Sequence, residues 1–104
     1  MRFLPVYAAF VALCAGQVFG AAADGKAVYD TKCKNCHGAD GTGNPTIAKM
    51  LKVTMRPLGS AEVKAKSDDD LKKDITAGNG KMKPQSVSAK QADDLVAFLR
   101  TLKQ

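Results

Sequence analysis

The sequence predicts a small all-α domain, and three observations carry that prediction. Ala92, Leu95, Val96, Leu99 and Leu102 recur at the spacing of one helix face near the C-terminus. Ser67 and Ser88 stand where helix caps belong, three residues ahead of Asp70 and Gln91. No stretch alternates apolar and polar residues for long enough to make a strand. With 104 residues, 45% hydrophobic and 25% charged, the composition describes one domain and excludes disorder and collagen-like order. Sixteen Lys+Arg against ten Asp+Glu leave a net charge of +6 without a basic block of the kind that binds nucleic acid. Nucleic acid is therefore not an expected partner.

The elements follow in chain order. Residues 1–20, MRFLPVYAAFVALCAGQVFG, place Arg2 ahead of an apolar stretch from Val6 to Leu13 and end on short residues before Ala21. This is the pattern of a cleaved secretory signal peptide, cut after Gly20 or, as a second candidate, after Ala23. The run is broken by Pro5, Gly16 and Gln17 and is shorter than the ~20 apolar residues a spanning helix needs, so no stable membrane insertion is expected. Cys14 follows Leu13 rather than a small residue, which argues against a lipid anchor. In the mature chain, residues 21–104, Asp24 is expected to cap a first helix that runs through Val28 and Tyr29 into the cysteines. Gly38 to Pro45, GADGTGNP, reads as a loop, Thr46 to Leu51 as a helical turn or two, and Pro57-Leu58-Gly59 as a break. Asp68 to Ala77 reads as a middle helix, with acids in its first turn, Leu71 and Ile75 facing inward and Gly78 as its left-handed stop. The loop Gly78 to Pro84 leads to the last helix, opened by Ser88 and Gln91.

Without the export segment, Cys33 and Cys36 are the only cysteines. They stand in Cys33-Lys34-Asn35-Cys36-His37, the C-x-x-C-H attachment signature of a c-type heme. On a helix, residues three and four apart share a face, so all three side chains can address one flat group. Two thioethers and one iron ligand result, and the second nitrogen of His37 then needs an acceptor to fix the ring. Three other readings are weaker. Structural zinc needs four protein ligands, and the two cysteines and the single histidine make three. A thioredoxin-like pair needs a βαβ setting that the pattern lacks. A plain disulfide leaves the rest of the pattern without a role. A domain this small has a thin core, and Phe98 is the only Phe left in the mature chain, so an apolar porphyrin would complete the interior.

Gly25-x3-Tyr29-x3-Cys33-x2-Cys36-His37, the segment Leu95-Val96-Ala97-Phe98-Leu99-Arg100 and the loop holding Met82 together resemble the class I c-type cytochromes, in particular small bacterial monoheme members, over nearly all of the mature chain. The resemblance implies the small cytochrome c fold: N- and C-terminal helices crossing, and loops wrapped around one covalently bound heme c. It implies that Gly25 and Tyr29 meet Leu95 and Phe98. It also implies that Met82 joins His37 as an iron ligand, in a setting similar to the family's Gly-x-Met-Pro, although here Lys83 separates Met82 from Pro84. Met50 reads as gap-filling core, and Met55 is the remaining competitor. The Pro45 carbonyl is expected to accept from His37. No Trp is present to contact a propionate, which leaves Arg56 or a Ser/Thr for that role.

With both axial positions filled, iron is closed to oxygen and peroxide, so the implied protein is a carrier and not an enzyme, with no catalytic residue. The expected function is that of a periplasmic, monomeric, single-heme carrier moving one electron between a donor and an acceptor redox protein. Without a Met ligand it would instead be a five-coordinate heme protein that binds a small ligand or has peroxidase activity. A fixed cytochrome subunit of a periplasmic oxidoreductase is the third reading. Lys32 and Lys34 in the attachment segment, with Lys81 and Lys83 flanking Met82, are expected to ring the heme edge and steer towards acidic patches on the partner.

Overall fold

The computed structural model describes the backbone of residues 8–104 and the side chains of residues 20–104. The basic start of the expected export segment and the Cys14 side chain lie outside the described residues. Among the described residues six helices follow one another: α1 Ala8–Lys32, α2 Lys34–His37, α3 Pro45–Leu51, α4 Ala61–Lys64, α5 Asp68–Ala77 and α6 Ala89–Leu99. No strand occurs among the described residues, in keeping with the all-α expectation. No described helix is long and apolar enough to cross a membrane.

The expected helix boundaries hold where they rest on caps. Ser67 accepts from the amide of Asp70 at 3.1 Å, and α5 ends at Gly78 with φ +82°. Ser88 and Gln91 form a reciprocal capping box at the start of α6. Asn44 caps α3, taking the amides of Thr46 and Ile47, with Pro45 in the first helical position, where its missing N–H costs nothing. The first helix differs from expectation. Asp24 lies inside α1 because the alanines before it continue the helix upstream, and its carboxylate faces Lys90 of α6 at 3.5 Å. The sequence reading also passed over α4, whose signal is Ser60 accepting from the amide of Val63.

Packing centres on the crossing of α1 and α6. Tyr29 and Leu95 are fully buried there, and the rings of Tyr29 and Phe98 lie 5.1 Å apart, tilted by 51°. A β-carbon on Gly25 would stand 1.9 Å from the Asp94 carbonyl oxygen and 3.0 Å from Phe98 Cβ, so only glycine admits this approach. Leu71 and Ile75 of α5 complete the cluster with Val96 and Leu99. Leu102, expected on the α6 face, lies beyond the end of that helix and packs at the edge of the core. Arg100 ties the α4–α5 junction to α6, donating to the carbonyls of Lys64 and Lys66 and to the Asp68 carboxylate. At the C-terminus, Gln104 joins two loops by accepting from Gly59 and donating to the Asp40 carbonyl.

Candidate heme site

The end of α1 delivers the attachment segment. Cys33 interrupts the helix, yet its carbonyl accepts from the amides of Cys36 and His37 at 3.3 and 3.0 Å, so the C-x-x-C-H turn stays helical. The following loop folds back over it, with Gly43 donating to the His37 carbonyl at 2.7 Å and Asn44 to that of Cys36 at 2.9 Å. Tyr29 pins the same corner, its hydroxyl donating to the Gly38 carbonyl. One buried side chain thus links the helix crossing to the residue after His37.

These elements enclose a cleft of about 550 Å³, lined by Cys33, Cys36 and His37 on one side and by Ile47, Leu51, Val53, Met55 and Met82 among others. A smaller apolar chamber of about 100 Å³ continues it between Tyr29, Leu58, Leu71, Ile75, Leu95 and Leu99. Cys33, His37, Asp74 and Met82 line both spaces, which makes them one site. The outer cleft falls within the ~300–1,000 Å³ typical of small-molecule and cofactor sites.

Burial tunes the groups that face it. It pushes the Cys33 thiol up to about 11, with Cys36 raising it further and Lys32 opposing. It holds His37 below its ordinary value, favouring the neutral imidazole that can bind a metal. His37 Nδ1 is sealed from solvent and bonds no described residue. A buried nitrogen left this way costs on the order of 1–3 kcal/mol, and because it is shut off even from the open cleft, it is not the atom that would meet a metal there. Two thiols, a neutral imidazole and a thioether around one apolar cleft fit a covalently held iron porphyrin.

The methionines separate by position. Met82 lines both chambers, Met55 lines the outer cleft and packs against Gly43, and Met50 is 67% exposed. The core reading of Met50 is therefore incorrect, because α3 turns that face outward at the rim of the cleft. Met82 sits in a tight turn in which it and Asn79 exchange backbone hydrogen bonds of 2.9 and 3.0 Å. Gly78 makes the turn possible, since a β-carbon there would lie 2.7 Å from the Met82 carbonyl oxygen. The hydrogen bond expected from His37 to Pro45 is not formed. Pro45 is exposed at the first position of α3. Among the lysines, Lys32, Lys81 and Lys83 line the cleft mouth, and Lys34 is exposed but outside that lining. Arg56 and Thr54 also line the cleft, with Arg56 paired to Glu62 at 3.3 Å.

A family model described as Cytochrome c matches residues 22–103. The chain belongs to the cytochrome c family. This cytochrome is 34% identical over 90 residues to cytochrome c-554(547) of Halothiobacillus neapolitanus, covering 81% of this chain and 99% of that protein. Its fold is similar to the solved KustC0563 c-type cytochrome, with a TM-score of 0.66 and 27% identity over 78% of this chain and 99% of that one. Members of the family carry covalently attached heme c with iron, and this cytochrome is accordingly a heme-bearing electron carrier.

Sequence reasoning did not identify Asp74, Lys66 and Asn79 as parts of this site, nor the hydroxyl bond of Tyr29. The phenol of Tyr29 is pushed up to about 12, first by burial and then by Cys33, Asp40 and Asp30. In the unfolded chain the phenol ionises near 10, so between about pH 10 and 12 the unfolded state binds fewer protons and stability falls as pH rises. Tyr29→Phe is expected to lower stability at neutral pH by about 1 kcal/mol, through loss of the bond to Gly38. Burial, the largest of these causes, persists once Cys33 is a thioether, so the substitution should also shrink the loss of stability above about pH 10 in denaturation curves of the holoprotein. Parallel pH profiles for the two proteins would contradict this.

Proposed function

We propose that this cytochrome is an exported, single-heme, one-electron shuttle whose iron is held by His37 and Met82. The observation that carries the reading is the convergence of Cys33, Cys36, His37 and Met82 on one cleft. When bound there, the heme supplies a one-electron ferric/ferrous couple. Cys33 and Cys36 hold its edge through thioethers, and His37 offers a neutral nitrogen to the iron. Met82 supplies a soft sulfur, and Met/His ligation raises the potential in cytochromes c. With two protein ligands in place there is no open position for a substrate, which makes the protein a carrier.

Removal of residues 1–20 by a signal peptidase, with delivery to the periplasm, is part of the same proposal. So is docking to an acidic patch on a donor and an acceptor through Lys32, Lys34, Lys81 and Lys83. Three of the four stand at the cleft mouth, which supports this use.

The exported holoprotein, whose N-terminal sequence is expected to begin at Ala21, provides the test. Met82→Ala should abolish the ferric sulfur-to-iron charge-transfer band and lower the reduction potential, while Met55→Ala keeps the band. The reverse outcome moves the ligand to Met55, and a wild-type protein without the band argues for the five-coordinate alternative.

The docking surface makes a separate prediction. Exposed charges are screened beyond about 8 Å at physiological salt, so electron exchange with the partner should slow as salt is added. Lys81→Glu with Lys83→Glu should slow it more than Lys73→Glu with Lys103→Glu, whose lysines do not line the cleft. Stopped-flow rates that fall equally for both pairs would reduce the effect to net charge.

A further inference from the structure

Asp74 is a carboxylate in a wall that is otherwise mostly apolar. It lines both chambers of the heme site, and its side chain is 25% exposed. A charge so placed is costly unless both oxygens are satisfied. They are satisfied by different partners: Oδ2 accepts from the Lys66 ammonium, and Oδ1 accepts from Asn79 Nδ2 at 3.2 Å. Asn79 is in turn locked to Met82 by the two backbone hydrogen bonds of the turn.

The loop around Met82 has firm ends and a weakly held middle. At its start the Gly78 amide donates to the Asp74 carbonyl at 3.1 Å, and at its end the Gln85 amide donates to the Ile75 carbonyl at 2.8 Å. Between them, the side-chain tethers among the described residues are the Asp74–Asn79 bond and the bond from the Lys81 ammonium to the Leu51 carbonyl at 2.8 Å. The Lys81 stem is exposed and flexible, so its hold on the turn is loose. Asn79 is exposed too, but its side chain is short and meets an acceptor whose orientation Lys66 already fixes.

We propose that Asp74 is the positioning residue for the Met82 sulfur: Lys66 orients its carboxylate, and the carboxylate holds Asn79 and thereby the turn that presents Met82 to the cleft. This rests on Met82 being the iron ligand. It adds that the ligand's placement is set from α5 by a charged pair in the wall of the site.

The test uses the ferric holoprotein and reads the charge-transfer band together with hydrogen exchange at the Asn79 and Met82 amides. Asp74→Ala and Asn79→Ala should each weaken the band and speed exchange at both amides about fivefold, the effect of one hydrogen bond of ordinary strength. The double variant should be no worse than either single one, because both break the same link. Asp74→Asn keeps one acceptor oxygen and should retain more of the band than Asp74→Ala. Val96→Ala, which loosens the core away from the cleft, should lower stability without weakening the band. Full band and unchanged exchange in Asp74→Ala, or additive losses in the double variant, would overturn the proposal. A band that survives Met82→Ala removes the ligand reading instead, and exchange at the two amides then decides on its own whether Asp74 holds the turn.

Discussion

The backbones of α1 and α6 approach so closely at Gly25 that a single methyl group would collide with the Asp94 carbonyl. That approach lets Tyr29 and Leu95 leave solvent completely and brings the Tyr29 and Phe98 rings together. It also fixes the direction in which α1 ends. Cys33, Cys36 and His37 follow Tyr29 by one to two helical turns, so the crossing points the attachment turn into the cleft. Tyr29 carries the constraint one step further, through its hydroxyl bond to the Gly38 carbonyl. The attachment side of the site is thus an extension of the core.

The opposite side is built differently. Met82 reaches the cleft on a loop whose shape depends on backbone hydrogen bonds and on the Asp74 carboxylate of α5. Packing is non-directional and tolerates small shifts, whereas under the proposed His37/Met82 ligation the sulfur needs a defined place. In the proposed arrangement, the Asp74 carboxylate shared between Lys66 and Asn79 gives that definition. Lys32, Lys81 and Lys83 line the same cleft, and the ion pair in the wall leaves the outward-facing charge to them.

Much of this was legible in the sequence where the information is local. The C-x-x-C-H turn, the Ser67 and Ser88 caps, and the inward Leu71 and Ile75 depend on residues a few positions apart, and the structure has them as read. The crossing was legible through Gly25 and Tyr29 by likeness to a family pattern. Contacts between distant segments were not. Arg100 reaches back to Lys64, Lys66 and Asp68, and Gln104 to Asp40, and no periodicity announces such pairs. Met50 was misjudged because an apolar residue in a short helix reads as core until the helix's facing direction is known. Asp74 was passed over because a charged residue on an amphipathic helix reads as solvated surface, and only the cavity places it in the site.

The crossing at Gly25 organises the site, and Gly25→Ala tests this with a decisive sign. Helix propensity alone favours alanine by about 1 kcal/mol, so a helix free of its neighbour would be stabilised. Overpacking at a close crossing costs about 1–3 kcal/mol, and here the new carbon meets backbone that cannot swing away. Guanidinium denaturation of the Gly25→Ala holoprotein, followed together with its sulfur-to-iron charge-transfer band, is predicted to show a lower midpoint and a weakened band. A midpoint equal to or above that of the native protein, with the band unchanged, would contradict the claim.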